Sequence, residues 1–145
     1  MATLTTQQIR DYLGDSVENN HLLDGEEFPD SAIELAMMLS VDSYNTIPPV
    51  LLTATRESIS ETLFLYGTLW HLYNGRAVAI SARNQMSYSD GGLTIPIEER
   101  YQFYIQMAQM YEQQFKQMAR EDKISRNMEN AWGQIPSDYA SFPIW

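Results

Sequence analysis

The chain has 145 residues, with nine Lys and Arg against nineteen Asp and Glu, and no cysteine. That is the length of one domain with one hydrophobic core, and 44% apolar with 19% charged residues suits a folded chain better than a disordered one. Without cysteine there is no disulfide framework, thiolate metal site or cysteine nucleophile. No apolar run reaches the roughly 18 residues of a spanning helix, and the opening MATLTTQQIR lacks the basic and then apolar layout of a secretory signal.

The net charge of −10 is uneven. Residues 1–75 hold two basic and eleven acidic side chains, and residues 76–145 hold seven and eight. Between Asp11 and Asp42 lie nine carboxylates and no Lys or Arg. Such a surface repels phosphate, which argues against gripping nucleic acid through its backbone and against docking on anionic lipid. Two readings stay open: a solvated acidic face that prevents non-specific sticking, and carboxylates lining a passage through which DNA slides without being held.

Four helical segments are predicted in chain order. In the first, Thr5 or Thr6 caps a short helix with Ile9, Tyr12 and Leu13 as an i, i+3, i+4 patch before Gly14. An acidic connection, Asp15 to Phe28, follows. The second starts near Pro29-Asp30-Ser31, where Ser31 and Glu34 have capping-box spacing. Its apolar set is Ile33, Ala36, Met37 and Val41, widened by Leu35, Met38 and Leu39, and it ends before Asn45 because Pro48-Pro49 forbids continuation. The third begins around Thr55 to Ser58 and runs towards Met86. Ile59, Leu63, Tyr66, Trp70, Tyr73, Ala77 and Ile80 alternate +4 and +3, a sustained repeat of about 3.5 residues. Leu65, Leu69 and Leu72 add a second flank, and Asn74-Gly75 is the weak point of a kinked but continuous helix.

The fourth helix starts near Ile97 to Glu99, whose carboxylates complement the helix N-terminus. Tyr101, Tyr104, Ala108, Tyr111, Phe115 and Met118 repeat the same spacing as far as Arg120 and Lys123, and Ile124, Met128, Ala131 and Trp132 can extend it to a stop at Gly133. Between the long helices, Asp90-Gly91-Gly92 signals a tight turn, flanked by Tyr88, Leu93 and Ile95 in hairpin alternation. The pattern predicts an all-α helical bundle built on a long antiparallel helix pair, a domain over residues 1–134, and an extended C-terminal docking arm over 135–145. In that arm Tyr139, Phe142, Ile144 and Trp145 are bulky groups that docking on a neighbour would bury.

Reaction chemistry finds little support. An EF-hand register with Gly25 at its sixth position would put Leu22 third and Ser31 twelfth, which fails. The two histidines, His21 and His71, have no partner at i+3 or i+4, and His71 reads as a packed or hydrogen-bonded side chain. No GxSxG or HExxH occurs. Gly91-Gly92 lacks the Lys of a phosphate loop, and the adjacent Glu98 and Glu99 point about 100° apart on a helix. The aromatic stripes have almost no interleaved cations and read as core or interface. No catalytic residue, metal site or cofactor is assigned.

The order of a short helix, a second helix, a long helix ending in Arg-Asn-x-x-Ser-Tyr-Ser-Asp-Gly-Gly (Arg83 to Gly92), and a long Tyr/Gln/Met-rich helix resembles the head-to-tail connector or adaptor proteins of the tailed-bacteriophage neck. The likeness in layout covers roughly residues 30–125, and its specific part is Asn84 to Gly92. It implies a structural virion protein without catalytic residues, forming a homo-oligomeric ring, often twelvefold, between portal and tail. Such a ring extends the DNA channel without binding DNA specifically and contacts no membrane. Its partners would be copies of itself, the portal protein and the next neck or tail protein, first in the host cytoplasm and then in the virion neck. Carried onto this chain, the resemblance makes Tyr88, Asp90, Leu93 and Ile95 a projecting contact, and Tyr139, Phe142, Ile144 and Trp145 a docking arm. Asp24, Glu26 and Glu27 become candidates for a channel wall. The alternatives are a tail-completion or terminator ring, a non-viral helical interaction module, and, last, a carboxylate-dependent enzyme using Asp24 or Glu27.

Overall fold

A computed structural model describes residues 3–16, 18–19, 25, 27–48, 53–83, 89–90, 93–94 and 97–133. The protein is an all-α helical bundle. Among the described residues there are four α-helices: α1 (Thr6–Leu13), α2 (Asp30–Thr46), α3 (Glu61–Arg83) and α4 (Ile97–Gly133). A single 3₁₀ turn, Arg56–Ser58, precedes α3. Two short strands, β1 (Ser89–Asp90) and β2 (Leu93–Thr94), pair Ser89 with Thr94 and Asp90 with Leu93. This is the tight hairpin that Asp90-Gly91-Gly92 predicts, although Tyr88 and Ile95 lie outside the described residues.

Local chemistry sets the helix ends. Thr5 caps α1 in a reciprocal box: its Oγ1 accepts from Gln8 N–H and its own N–H donates to Gln8 Oε1 at 2.9 Å. Gly14 closes the helix with φ 67°, a conformation that costs glycine little. The box expected at Ser31 and Glu34 does not form. Pro29 is the N-cap of α2, without a side-chain bond, and Asp30 is drawn instead to Arg10. α2 also continues through Asn45 to Thr46, one turn's fraction beyond its expected end. Asn45 then makes two bonds to the backbone of Ala54, donating to its O at 3.1 Å and accepting from its N–H at 2.8 Å. Thr55 caps the 3₁₀ turn rather than α3. The long helix starts at Glu61, with Ser60 Oγ accepting from Leu63 N–H at 3.4 Å. Asn74 and Gly75 lie inside a helix that continues through them.

α3 is the central element, packed on α2 on one side and α4 on the other. Its seam with α4 is aromatic. Tyr66 and Tyr73 each stack on Tyr111 with ring centroids 5.8 Å apart, and Trp70 lies 5.7 Å from Phe115. Tyr73 also meets Tyr104 at 6.0 Å and the edge of Phe28 at 6.0 Å. Contacts climb α3 while descending α4, from Arg126 at Ser58, through Phe115 at Gly67, to Tyr104 at Tyr73. The predicted stripes form this seam in their central part, with Leu63, Ala77, Tyr104, Ala108, Tyr111 and Phe115 buried, whereas Tyr101, the first residue of the predicted α4 stripe, is exposed ahead of the first α3 contact at Tyr104. The apolar patches are narrower than predicted elsewhere: Tyr12 is exposed on α1, as are Leu35 and Met38 on α2. α2 buries Ser40 and Tyr44 in their place. α3 buries Phe64 and Thr68, outside the predicted repeat, because it is covered by two helices rather than one.

At Gly67, α2 and α4 both pack directly against the backbone of α3. A Cβ there would lie 2.2 Å from Ser40 Oγ of α2 and 2.7 Å from the Phe115 ring of α4. Buried Ser40 donates to the Phe64 carbonyl at 3.1 Å, which Thr68 shares at 2.8 Å, so the polar groups at this crossing are satisfied. Gly75, in contrast, has open space around its missing Cβ. Gly67→Ala is expected to destabilise the fold by about 1–3 kcal/mol through overpacking. Gly75→Ala is expected to stabilise it by up to about 1 kcal/mol through helix propensity and unfolded-state entropy. Urea denaturation of the two variants beside the parent checks both signs.

Candidate functional site

The acidic amino-terminal half is organised around one cation. Arg10, on the last turn of α1, is 4% exposed. It donates to Asp15 at 2.9 Å and to the Phe28 carbonyl at 2.7 Å, and it pairs with the exposed carboxylate of Asp30. Asp15 is equally buried and accepts from the backbone N–H groups of Glu27 at 2.7 Å and Phe28 at 2.9 Å. This cluster ties α1 to the start of α2 across the acidic connection. Glu27 is half-buried, and its carboxylate accepts from the Tyr104 hydroxyl of α4. Part of the carboxylate surplus is therefore internal structure. Asp24 and Glu26, the other candidate channel-wall residues, lie outside the described residues.

A second cation was not signalled by sequence as internal. Lys123 is 2% exposed, donates to the Ile47 carbonyl and lies 4.7 Å from the Tyr44 ring centroid. It supplies a positive charge to the C-terminal end of α2, whose own last turn has none. Burial lowers its pKa. Tyr44 donates to Asp122 at 2.5 Å, and burial followed by that carboxylate pushes its pKa up to about 12. α4 runs ten residues beyond Lys123, so this lysine complements a neighbouring helix terminus rather than its own.

His71 is a packed, hydrogen-bonded histidine, as its sequence setting predicts. Its Nε2 lies 2.7 Å from Ser43 Oγ and its ring stacks on Trp70 at 4.3 Å. Burial lowers its pKa, opposed by the charge of Glu112. Among the described residues no group of three or more His, Asp or Glu side chains converges to hold a metal ion. Ser43 and His71 are both on helices, whose interior backbone N–H groups are already committed to helical bonds.

The exposed surface of α4 is mostly polar but carries large apolar side chains. Phe103 (53% exposed), Met110 (41%) and Ile124 (46%) are spaced by multiples of seven, and Met128 (55%) follows Ile124 by four, on a face offset from the stripe that meets α3. Gln114, Gln117 and Glu121 occupy the middle of the same stripe, so its apolar character is concentrated at the two ends. α4 has 37 residues and α3 has 23, corresponding to about 55 and 35 Å. Beyond Arg126, which bonds the Ser58 carbonyl, α4 therefore continues past the start of the 3₁₀ turn.

A groove between α2 and α3, of about 340 Å³, is walled by Leu35, Leu39 and Leu72, with Arg76 and His71 at its edge. The buried Nε of Arg76 has no hydrogen-bond partner. Of the predicted contact residues, Asp90 and Leu93 pair with each other in the hairpin. Tyr88, Ile95, Tyr139, Phe142, Ile144 and Trp145 lie outside the described residues. Among the described residues no helix is long and apolar enough to cross a membrane. Comparison with protein-family models, characterised proteins and solved structures finds no match.

Two expectations follow. Asp15→Ala removes one carboxylate partner of the buried Arg10 and the acceptor of the Glu27 and Phe28 N–H groups, and should cost about 1–3 kcal/mol in chemical denaturation. His71 resists protonation in the fold, whereas the unfolded chain takes up a proton near the ordinary histidine value of about 6.5. Its contribution to stability is thus complete above that value and declines as pH falls through it towards the lower folded value. Thermal melts at pH 7, 6 and 5 should show this decline, and His71→Asn should flatten it.

Proposed function

We propose that this chain is a structural ring component of a tailed-phage neck, an adaptor between portal and tail whose work is shape and interface rather than bond chemistry. The observation that carries the reading is the second apolar stripe of α4, which runs from Phe103 to Met128 on a helix longer than the elements it packs against. A helix satisfied by its own bundle needs one apolar stripe. A second one, exposed at both ends, is what a neighbouring subunit covers in a closed ring.

The interior supports the same reading. The aromatic seam, the Gly67 crossing and the Arg10 cluster make a rigid unit, and rigid subunits build rings of defined curvature. The helical content favours an adaptor over a tail-completion ring, since rings of that second kind more often mix sheet and helix. The residual acidic surface suits a channel wall that lets DNA pass without holding it. The C-terminal stretch 135–145, with Tyr139, Phe142, Ile144 and Trp145, would add a docking arm. Fully burying one large apolar side chain contributes roughly 1.5–3 kcal/mol, so a few such groups per subunit, repeated around a ring, are sufficient to hold it.

Native mass spectrometry of the chain, with and without the portal protein of the same phage, tests the proposal. The expected result is a ring-sized mass, either alone or on the portal. Ile124→Glu combined with Met128→Glu should abolish it while leaving the circular dichroism unchanged and the monomer's stability within about 0.5 kcal/mol, as for exposed sites generally. A chain that stays monomeric in both conditions overturns the reading.

A further inference from the structure

We infer that the groove between α2 and α3 is the receptor for the acidic, aromatic segment 135–145 of a second copy of this chain, with Arg76 as the charged anchor for Asp138. The inference rests on the self-assembly reading above and names the surfaces that meet.

The groove joins two features that demand an occupant of mixed character. Its walls are aliphatic, from Leu35, Leu39 and Leu72, and Leu35 is 52% exposed. Arg76 lines the groove as a half-buried cation with no ion pair among the described residues. A cation in a partly desolvated groove is best met by a carboxylate, which accepts charge-assisted hydrogen bonds from the accessible guanidinium nitrogens. The nearby carboxylate of Glu27 is engaged by the Tyr104 hydroxyl. The segment IPSDYASFPIW has the complementary chemistry: one carboxylate, Asp138, no Lys or Arg, and five bulky apolar or aromatic side chains. Its two prolines disfavour a helix and suit an extended strip laid along a groove.

Chain geometry makes the donor another copy. α4 moves away from Arg76 as it proceeds: it meets Tyr73 at Tyr104, Gly67 at Phe115 and Ser58 at Arg126. From Glu61 to Arg76 the axial rise is about 22 Å, and α4 extends about 10 Å further from Arg126 to Gly133. Asp138 follows Gly133 by five residues, which span at most about 18 Å. A chain cannot bring its own Asp138 to its own Arg76, but a neighbour's can reach. The 340 Å³ groove accommodates two or three side chains, so the contact supplies register rather than the whole of the ring's cohesion.

A fluorescent peptide of residues 134–145 titrated into the full-length chain, read by anisotropy, tests the assignment. Saturable binding is expected, weakened at least about tenfold by Arg76→Glu in the protein or by Asp138→Arg in the peptide, and recovered when the two are combined. The peptide variant cannot act through misfolding of the receptor, and circular dichroism of the Arg76→Glu chain controls for the other. Absence of binding, or binding indifferent to both reversals, overturns the groove assignment. The ring reading fails separately: charge-swap recovery on a chain that never forms a ring with portal supports the groove and overturns the ring, and a ring indifferent to both reversals does the opposite.

Discussion

The stacking of α3 on α4 is the interaction on which the rest of this structure depends. Tyr66, Trp70 and Tyr73 meet Tyr104, Tyr111 and Phe115 in a continuous run of rings, each pair 5.7 to 6.0 Å apart. Flat rings at this separation fix the axial register of the two helices, since a slide of one turn would unstack several pairs together. With that register set, Gly67 meets Phe115, and the absence of its side chain lets α2 come close enough for Ser40 to bond the Phe64 carbonyl. Bulk along the seam and its absence at one residue together place three helices around a single core.

Charge is then distributed by what the core leaves available. Among the described residues no ion pair joins the two long helices, and the buried ions Arg10, Asp15 and Lys123 serve the connections. Arg10 and Asp15 organise the passage from α1 to α2. Lys123 reaches across from α4 to finish α2 at Ile47, and Arg126 does the same for the carbonyl of Ser58. Glu27 joins the acidic connection to α4 through Tyr104. Each of these contacts satisfies backbone or carboxylate groups that would otherwise be stranded at a helix end or in a loop. In a chain of high acidic surplus, Arg10, Lys123 and Arg126 thus sit at joints, where an unpaired carbonyl or carboxylate would be most costly.

What this core does not use is as informative as what it does. α4 has two stripes, and the bundle consumes one. Phe103, Met110, Ile124 and Met128 face outward, and the α2–α3 groove keeps an unpartnered arginine nitrogen. Along the exposed face of α4, Gln114, Gln117 and Glu121 lie between the two apolar pairs and keep that stretch compatible with water.

The helical class, the two long amphipathic segments and the hairpin between them were legible in the sequence, because a 3.5-residue repeat and an Asp-Gly-Gly turn are local signals that need no knowledge of the partner. The packing of His71 was legible for the same reason, from its setting between Trp70 and Leu72. The tertiary structure alone decided which stripe would be covered and which ions would be internal. Leu35 and Met38 look like core beside Ala36 and Met37, yet they are exposed, because α2 turns Ile33, Ala36, Met37, Ser40 and Tyr44 to the bundle instead. Asp30 looks like part of a helix cap, yet its carboxylate is taken by Arg10, twenty residues earlier. Lys123 looks like a helix-end cation of its own helix and instead caps another. Hydrophobic periodicity reports how many apolar faces a helix has, and only the docking of one helix on the next determines which of them meets protein and which meets water.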